Sequence, residues 1–181
     1  MRSVVGGLVL VAMLALAGCV EGERLPTLPP TPSSTPIFSS EEEALAAAEE
    51  AYAAYLEMSN LIANEGGAQP DRIAPFVTAA QLPDELASSR NYSDNNLHSV
   101  GATQITGLTL QQYLEAEDHA EVIVYACLDV TGARLIDASG TDVTPSGRAP
   151  QVTLEVTLQS NDSRSLLIAD SQLWSNSDSC S

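Results

Sequence analysis

Covalent and acid–base chemistry in this chain can come from only a few side chains. It has three cysteines, two histidines, five tyrosines and a scatter of carboxylates. Cys19 closes an apolar N-terminal run, which leaves Cys127 and Cys180 as a pair. In an exported chain an even pair points to a disulfide. Such a bridge would close a loop of about 54 residues, worth ~4 kcal/mol in the chain-entropy model. A metal-binding thiol pair and a thiol nucleophile are the alternatives. A nucleophile would want a neighbouring base and a reducing compartment, and the sequence offers neither. His119 lies in Glu115-Ala-Glu-Asp-His-Ala-Glu121, whose carboxylates and imidazole are ligand types a cation accepts. That cluster sits between two strand-like stretches and mixes both faces, so a solvated hairpin tip is the competing reading. Asp137 and Asp142 flank a glycine without the spacing of a Ca²⁺ loop and read as a turn. No zinc, P-loop, dinucleotide or nucleophile-elbow motif is present, and neither metal nor cofactor is expected. Tyr52 and Tyr55 share a helical stripe; they could line a pocket, or sit in the core with their hydroxyls at its edge.

The residues that decide location come first in the chain. Met1-Arg2 is basic, Val4 to Ala17 is uncharged, and Ala15, Ala17 and Gly18 are small. Basic, apolar, small is the order of a secretory signal. The apolar run of about 15 residues is short of the ~20 a helix needs to cross hydrocarbon. Leu16-Ala17-Gly18-Cys19 resembles the bacterial lipobox. That resemblance implies lipidation of the Cys19 thiol, cleavage before it, and residues 1–18 as signal peptide. Each buried CH₂ of an acyl chain contributes ~0.8 kcal/mol, so two or three chains would hold the protein on the membrane. Residues 19–38 then form a linker, rich in proline, serine and threonine between Leu25 and Pro36. Such a segment favours extended conformations at ~3 Å per residue and would lift the remainder, 39–181, off the bilayer.

Composition narrows the partners. The net charge is -17, and all seven basic residues are arginines. Nucleic acid is a poor partner, because phosphate recognition needs a basic footprint. Anionic headgroups would repel the domain, so the lipid on Cys19 has to hold it there. The acidity reads as solubility and self-repulsion, or as a preference for a cation or a basic partner.

The elements that must position these side chains follow in order. Ser40 with Glu43 makes a capping box, and three glutamates suit the first turn of a helix. The helix should run from Ser40 to about Glu65 and stop at Gly66-Gly67. Leu45, Ala48, Tyr52, Tyr55, Leu56, Ser59 and Ile62 form its stripe. Short helices are expected over Asp71–Ala79 and Leu82–Arg90, with loop chemistry from Asn91 to Asn96. Beyond Leu97 the period becomes two. Strands are expected at Val100–Leu110 (with a glycine that marks a bulge), Glu121–Val130, Val152–Leu158 and Leu166–Trp174, with Arg134–Asp137 continuing the second briefly. The fold class is α+β: one long helix and short helices packed on an antiparallel meander.

This order resembles the cone-shaped, nuclear-transport-factor-2-like fold of ketosteroid isomerases and polyketide cyclases. Glu65-Gly-Gly-Ala-Gln-Pro-Asp-Arg-Ile-Ala-Pro-Phe-Val77, Tyr125-Ala-Cys-Leu-Asp-Val130, Asp142-Val-Thr-Pro145 and the ending from Trp174 to Cys180 are similar to a group of actinobacterial lipoproteins. The resemblance implies a curved sheet and a location outside the cytoplasmic membrane. An isomerase of this fold needs a buried base and an oxyanion donor. The matching candidates are Asp129 as base, with Tyr52, Tyr55 or Tyr125 as donor. Tyr125 and Asp129 share a strand face by parity, with Cys127 between them, and a disulfide there would occupy space a substrate needs. The expected function is therefore a non-catalytic, membrane-anchored envelope domain that binds an envelope protein or component. The alternative is a small-molecule binder or enzyme using the cone cavity. Oligomeric state is not legible.

Overall fold

A computed structural model of the chain describes residues 36–116, 119–160 and 164–175. All of these belong to one unit, Ser34–Ser181. The signal at 1–18, the anchor Cys19, nearly all of the 19–38 linker and Cys180 lie outside the described residues.

Helix α1 spans Glu41–Asn64, and Ser40 caps it by accepting from the Glu43 amide. The reciprocal bond lands one residue early: Glu43 Oε2 accepts from the Ser39 amide at 2.7 Å rather than from Ser40. Ala44, Ala48, Tyr52 and Ile62 are the buried positions of its apolar stripe. The Gly67 amide closes the C-terminal turn on the Ile62 carbonyl at 2.9 Å. A 3₁₀ helix follows at Pro70–Phe76. Helix α2, Leu82–Asp94, is longer than its sequence suggests. The Asn91–Asp94 stretch, expected as loop, completes its last turn, and the Asn95 side chain bonds back to the Asn91 carbonyl at 2.8 Å. Local preference for turns is overridden there by i,i+4 side-chain bonding. Among the described residues, no helix is long and apolar enough to cross a membrane.

Six strands follow. They are β1 His98–Val100, β2 Gln104–Ala116, β3 His119–Asp129, β4 Arg134–Ile136, β5 Gln151–Ser160 and β6 Leu167–Leu173. Strands β2-β3-β5-β6 form a four-stranded antiparallel meander, while β1 and β4 pair separately. The Arg134–Asp137 stretch thus leaves the main sheet instead of extending β3. It joins β1, with Ser99 opposite Leu135. Strand β2 slips register between Ile105 and Gly107, the bulge expected at that glycine, and again between Leu110 and Gln112. Such bulges bend a strand and increase its twist.

Helix α1 lies on one face of the meander. On β3 the even residues, Ala120 to Leu128, join the core with Val156, Leu158 and Ile168. The architecture is α+β, and the core fills the space between helix and sheet.

Candidate functional site

The sheet divides the residues singled out for chemistry. Tyr52 and Tyr55 belong to the helix side, their rings 5.8 Å apart. Tyr52 is buried at 1% exposure. Tyr55 donates to Glu85 of α2 at 3.0 Å. Burial, and then the nearby Glu85 charge, raises the phenol pKa of both. Tyr125 and Asp129 are odd residues of β3 and project from the opposite face, outside the core cluster. The four residues therefore form no common pocket: neither Tyr52 nor Tyr55 can serve Asp129. The reason is parity, since one strand cannot aim odd and even side chains at the same helix.

Asp129 is also unsuited to the role of base. It accepts from the Thr131 hydroxyl at 2.6 Å and the Thr131 amide at 2.8 Å. Those bonds hold its pKa below the ordinary aspartate value, the opposite of what a base working near neutrality needs. It shapes the turn after β3 instead. Tyr125 packs on Trp174, ring centres 4.8 Å apart, and the Trp174 amide donates to the Thr153 carbonyl at 2.9 Å. Cys127, between Tyr125 and Asp129, is buried and disulfide-bonded. The interior of the helix side holds no room for a substrate at its centre: Val122, Val124, Val156, Leu158 and Ile168 are wholly buried there.

Open space lies instead beside the second half of α1. A cleft of about 240 Å³ is walled by that half of α1, Tyr92 of α2, the β1–β4 pair and the loop after β4. The sequence signals none of this, because its walls come from five separate segments. Asn60 pins the first wall. Its side chain donates to the Thr103 carbonyl and accepts from the Thr103 amide, both at 3.0 Å, as a strand neighbour would. Asn60→Ala should cost about 1–3 kcal/mol, because two part-buried backbone groups lose their partner. Urea titration of the variant checks this.

Two arginines form the opposite wall. Arg134 donates through Nε to Asp142 Oδ2 at 2.7 Å, and its Nη2 reaches the same oxygen. Arg148 donates through Nη2 to the carbonyls of Val130 at 2.7 Å and Ala133 at 2.6 Å. The aspartate turn read between Asp137 and Asp142 is present, with Asp137 Oδ1 accepting from the Ser139 and Thr141 amides. Bonds from Thr144, followed by Arg134, hold the Asp142 pKa down at about 2, against 3.8 for the free group. A depressed carboxylate stabilises the fold fully above pH 3.8, and that contribution is lost as pH falls toward 2. Asp142→Asn should therefore flatten the acid limb of stability between those pH values and nowhere else, as read from denaturation midpoints across the range.

A second groove, about 260 Å³, lies between α1, the 3₁₀ helix and the start of β6. Ala47, Ala51 and Ala54 line it against Phe76, together with the polar residues Glu50, Arg164 and Ser165.

No protein-family model matches the chain, and no curated protein matches it. Solved structures do. The intermembrane space region of chloroplast protein ARC6 superposes with a TM-score of 0.54 at 10% identity, covering 72% of this chain and 96% of that one. Aln2 from a Streptomyces species superposes at 0.44 and 13% identity, over 75% and 92% of the two chains. The first of these likenesses is one of fold and supports an α+β domain of helix and antiparallel sheet.

Proposed function

We propose that this chain is a lipid-anchored module of the cell envelope. It is tethered through Cys19 at the outer face of the cytoplasmic membrane and binds a ligand or envelope partner without acting on it. The observation that carries this reading is the separation of Tyr52 and Tyr55 from Asp129 by a sheet whose helix side is filled. A cone enzyme of the nuclear-transport-factor-2-like kind would work inside that space. We read the fold as the cone that the sequence resemblance implies, with its interior filled. The bulged, curved β2 and the long helix laid across the meander support it. A domain of like fold occupies an intermembrane space in ARC6, in keeping with display outside a membrane.

Cys19→Ser tests the tether. The variant should appear in the soluble fraction or remain unprocessed; processing with full retention in membranes would defeat the anchoring part of the reading. The binding part is tested by native mass spectrometry of the protein released from its own membranes. A stoichiometric adduct that survives Asp129→Asn but is lost in Ser99→Trp, which obstructs the cleft, is the expected result. Loss in Asp129→Asn alone would favour the small-molecule or isomerase-like alternative.

A further inference from the structure

We infer that the cleft beside α1 is a carboxylate-binding site anchored by Arg148; this rests on the cleft being the binding site proposed above. The charge pattern is the first ground. The chain carries 24 acidic and seven basic residues, yet the cleft is lined by two arginines and by no aspartate or glutamate. Elsewhere two of the three described arginines, Arg72 and Arg164, are matched by Glu65 and Glu43.

The second ground is the state of each guanidinium. Arg134 is already neutralised, both of its bonding nitrogens being turned to Asp142. Arg148 meets no carboxylate among the described residues. Its two bonds go from one nitrogen, Nη2, to neutral carbonyl oxygens. That arrangement fixes the plane of the group while leaving the Nε and Nη1 protons, each of which can donate singly to an oxyanion. A guanidinium held rigid before binding loses little rotamer freedom on binding.

The charge count selects the anion. With Arg134 cancelled by Asp142, one positive charge faces the cleft, which balances a carboxylate. A phosphate monoester, near -2 at neutral pH, would remain uncompensated in a chain of net charge -17. The uncharged polar residues that line the cleft with Arg148 are Ser59, Asn60, Tyr92, Ser99 and Thr103. At about 240 Å³ the space is below the ~300–1,000 Å³ of drug-sized pockets, so it admits one small acidic group rather than a large ligand. A peptide's terminal carboxylate and a free small hydroxy acid share this chemistry.

The test uses the full chain in detergent micelles at constant ionic strength, observed through the arginine Nε–H resonances. The probes are N-acetyl-alanylalanine, its C-terminal amide, lactate, inorganic phosphate and chloride. A saturable shift of the Arg148 resonance is expected with the peptide acid or with lactate. It should be at least tenfold weaker with the amide, with phosphate and with chloride. Tighter binding of the peptide acid assigns a chain terminus as the source, and tighter binding of lactate a free acid; either supports the site. Arg148→Gln should abolish binding and Arg90→Gln should leave it unchanged. Because Arg148 also holds two carbonyls, Ser99→Trp is the second variant: it obstructs the cleft, keeps those bonds, and should weaken binding as much. Binding that survives both variants, equal response to amide or chloride, or preference for phosphate would overturn the inference. If the native adduct is lost in Ser99→Trp while no carboxylate binds, the binding reading stands and the carboxylate assignment falls.

Discussion

Tyr52→Ala should lower the stability of the domain by about 3–5 kcal/mol, the range for removing a large aromatic from a packed core. Tyr52 heads the fully buried side chains, at 1% exposure, on the face of α1 that meets the sheet. Its ring neighbours Tyr55 at 5.8 Å, and Tyr55 ties α1 to α2 through Glu85. Truncation would leave a hole in the core cluster that Tyr52 shares with Val122, Val124 and Val156. A domain of this size is stable by only ~5–15 kcal/mol, so the loss takes a large share. The urea midpoint should fall steeply with the slope unchanged, and Tyr52→Phe should recover most of it. A midpoint within about 1 kcal/mol of the parent in Tyr52→Ala would mean that α1 does not rest on the sheet in this way. The same burial makes a pH prediction. Tyr52 and Tyr55 have pKa values raised above 10 by burial, with Glu85 adding to it. Their contribution is complete below pH 10 and is lost as pH rises beyond it, so stability should fall on the alkaline side. The Tyr55→Phe variant should fall less.

The second large effect is expected at Gly101, in the turn between β1 and β2. Its φ is +87°, and a Cβ placed there would collide with the Gly132 carbonyl oxygen. Positive φ alone costs an L-residue ~1–2 kcal/mol. The collision adds more, because backbone cannot swing aside as a side chain can, and relief would separate β1 from the turn after β3. Gly101→Ala should therefore cost at least ~3 kcal/mol, the sum of that strain and the displacement. Two other glycines calibrate it. Gly140 has φ +81° and nothing within 4 Å, so its alanine variant meets backbone strain alone. Gly147 has open space and no positive φ, so its variant should be near neutral. Melting temperatures should rank Gly101→Ala lowest, then Gly140→Ala, then Gly147→Ala. Equal effects at Gly101 and Gly140 would place the turn elsewhere. Since Gly101 lies between Ser99 and Thr103, the same variant should also open the cleft and weaken any ligand it holds.

The sequence by itself determined the elements whose causes are local. Ser40 with its glutamates starts α1, and Gly66-Gly67 end it. Alternation marks β3 and β5, and Gly107 adjoins the bulge in β2. Those signals act over a few residues, through caps, periodicity and backbone sterics. The α+β class follows from their order. Even the parity that puts Tyr125, Cys127 and Asp129 on one face of β3 is readable, because strand period is fixed. What only the tertiary structure decided is which face α1 would cover. Covering the even residues of β3 placed Tyr52 and Tyr55 across the sheet from Asp129. The cleft is equally a product of assembly. Asn60 and Thr103 are 43 residues apart, and Arg148 reaches carbonyls 18 and 15 residues earlier. No local pattern encodes such meetings. They arise because β1 and β4 leave the main sheet to pair with each other, and that choice is made by packing energy summed over the whole domain.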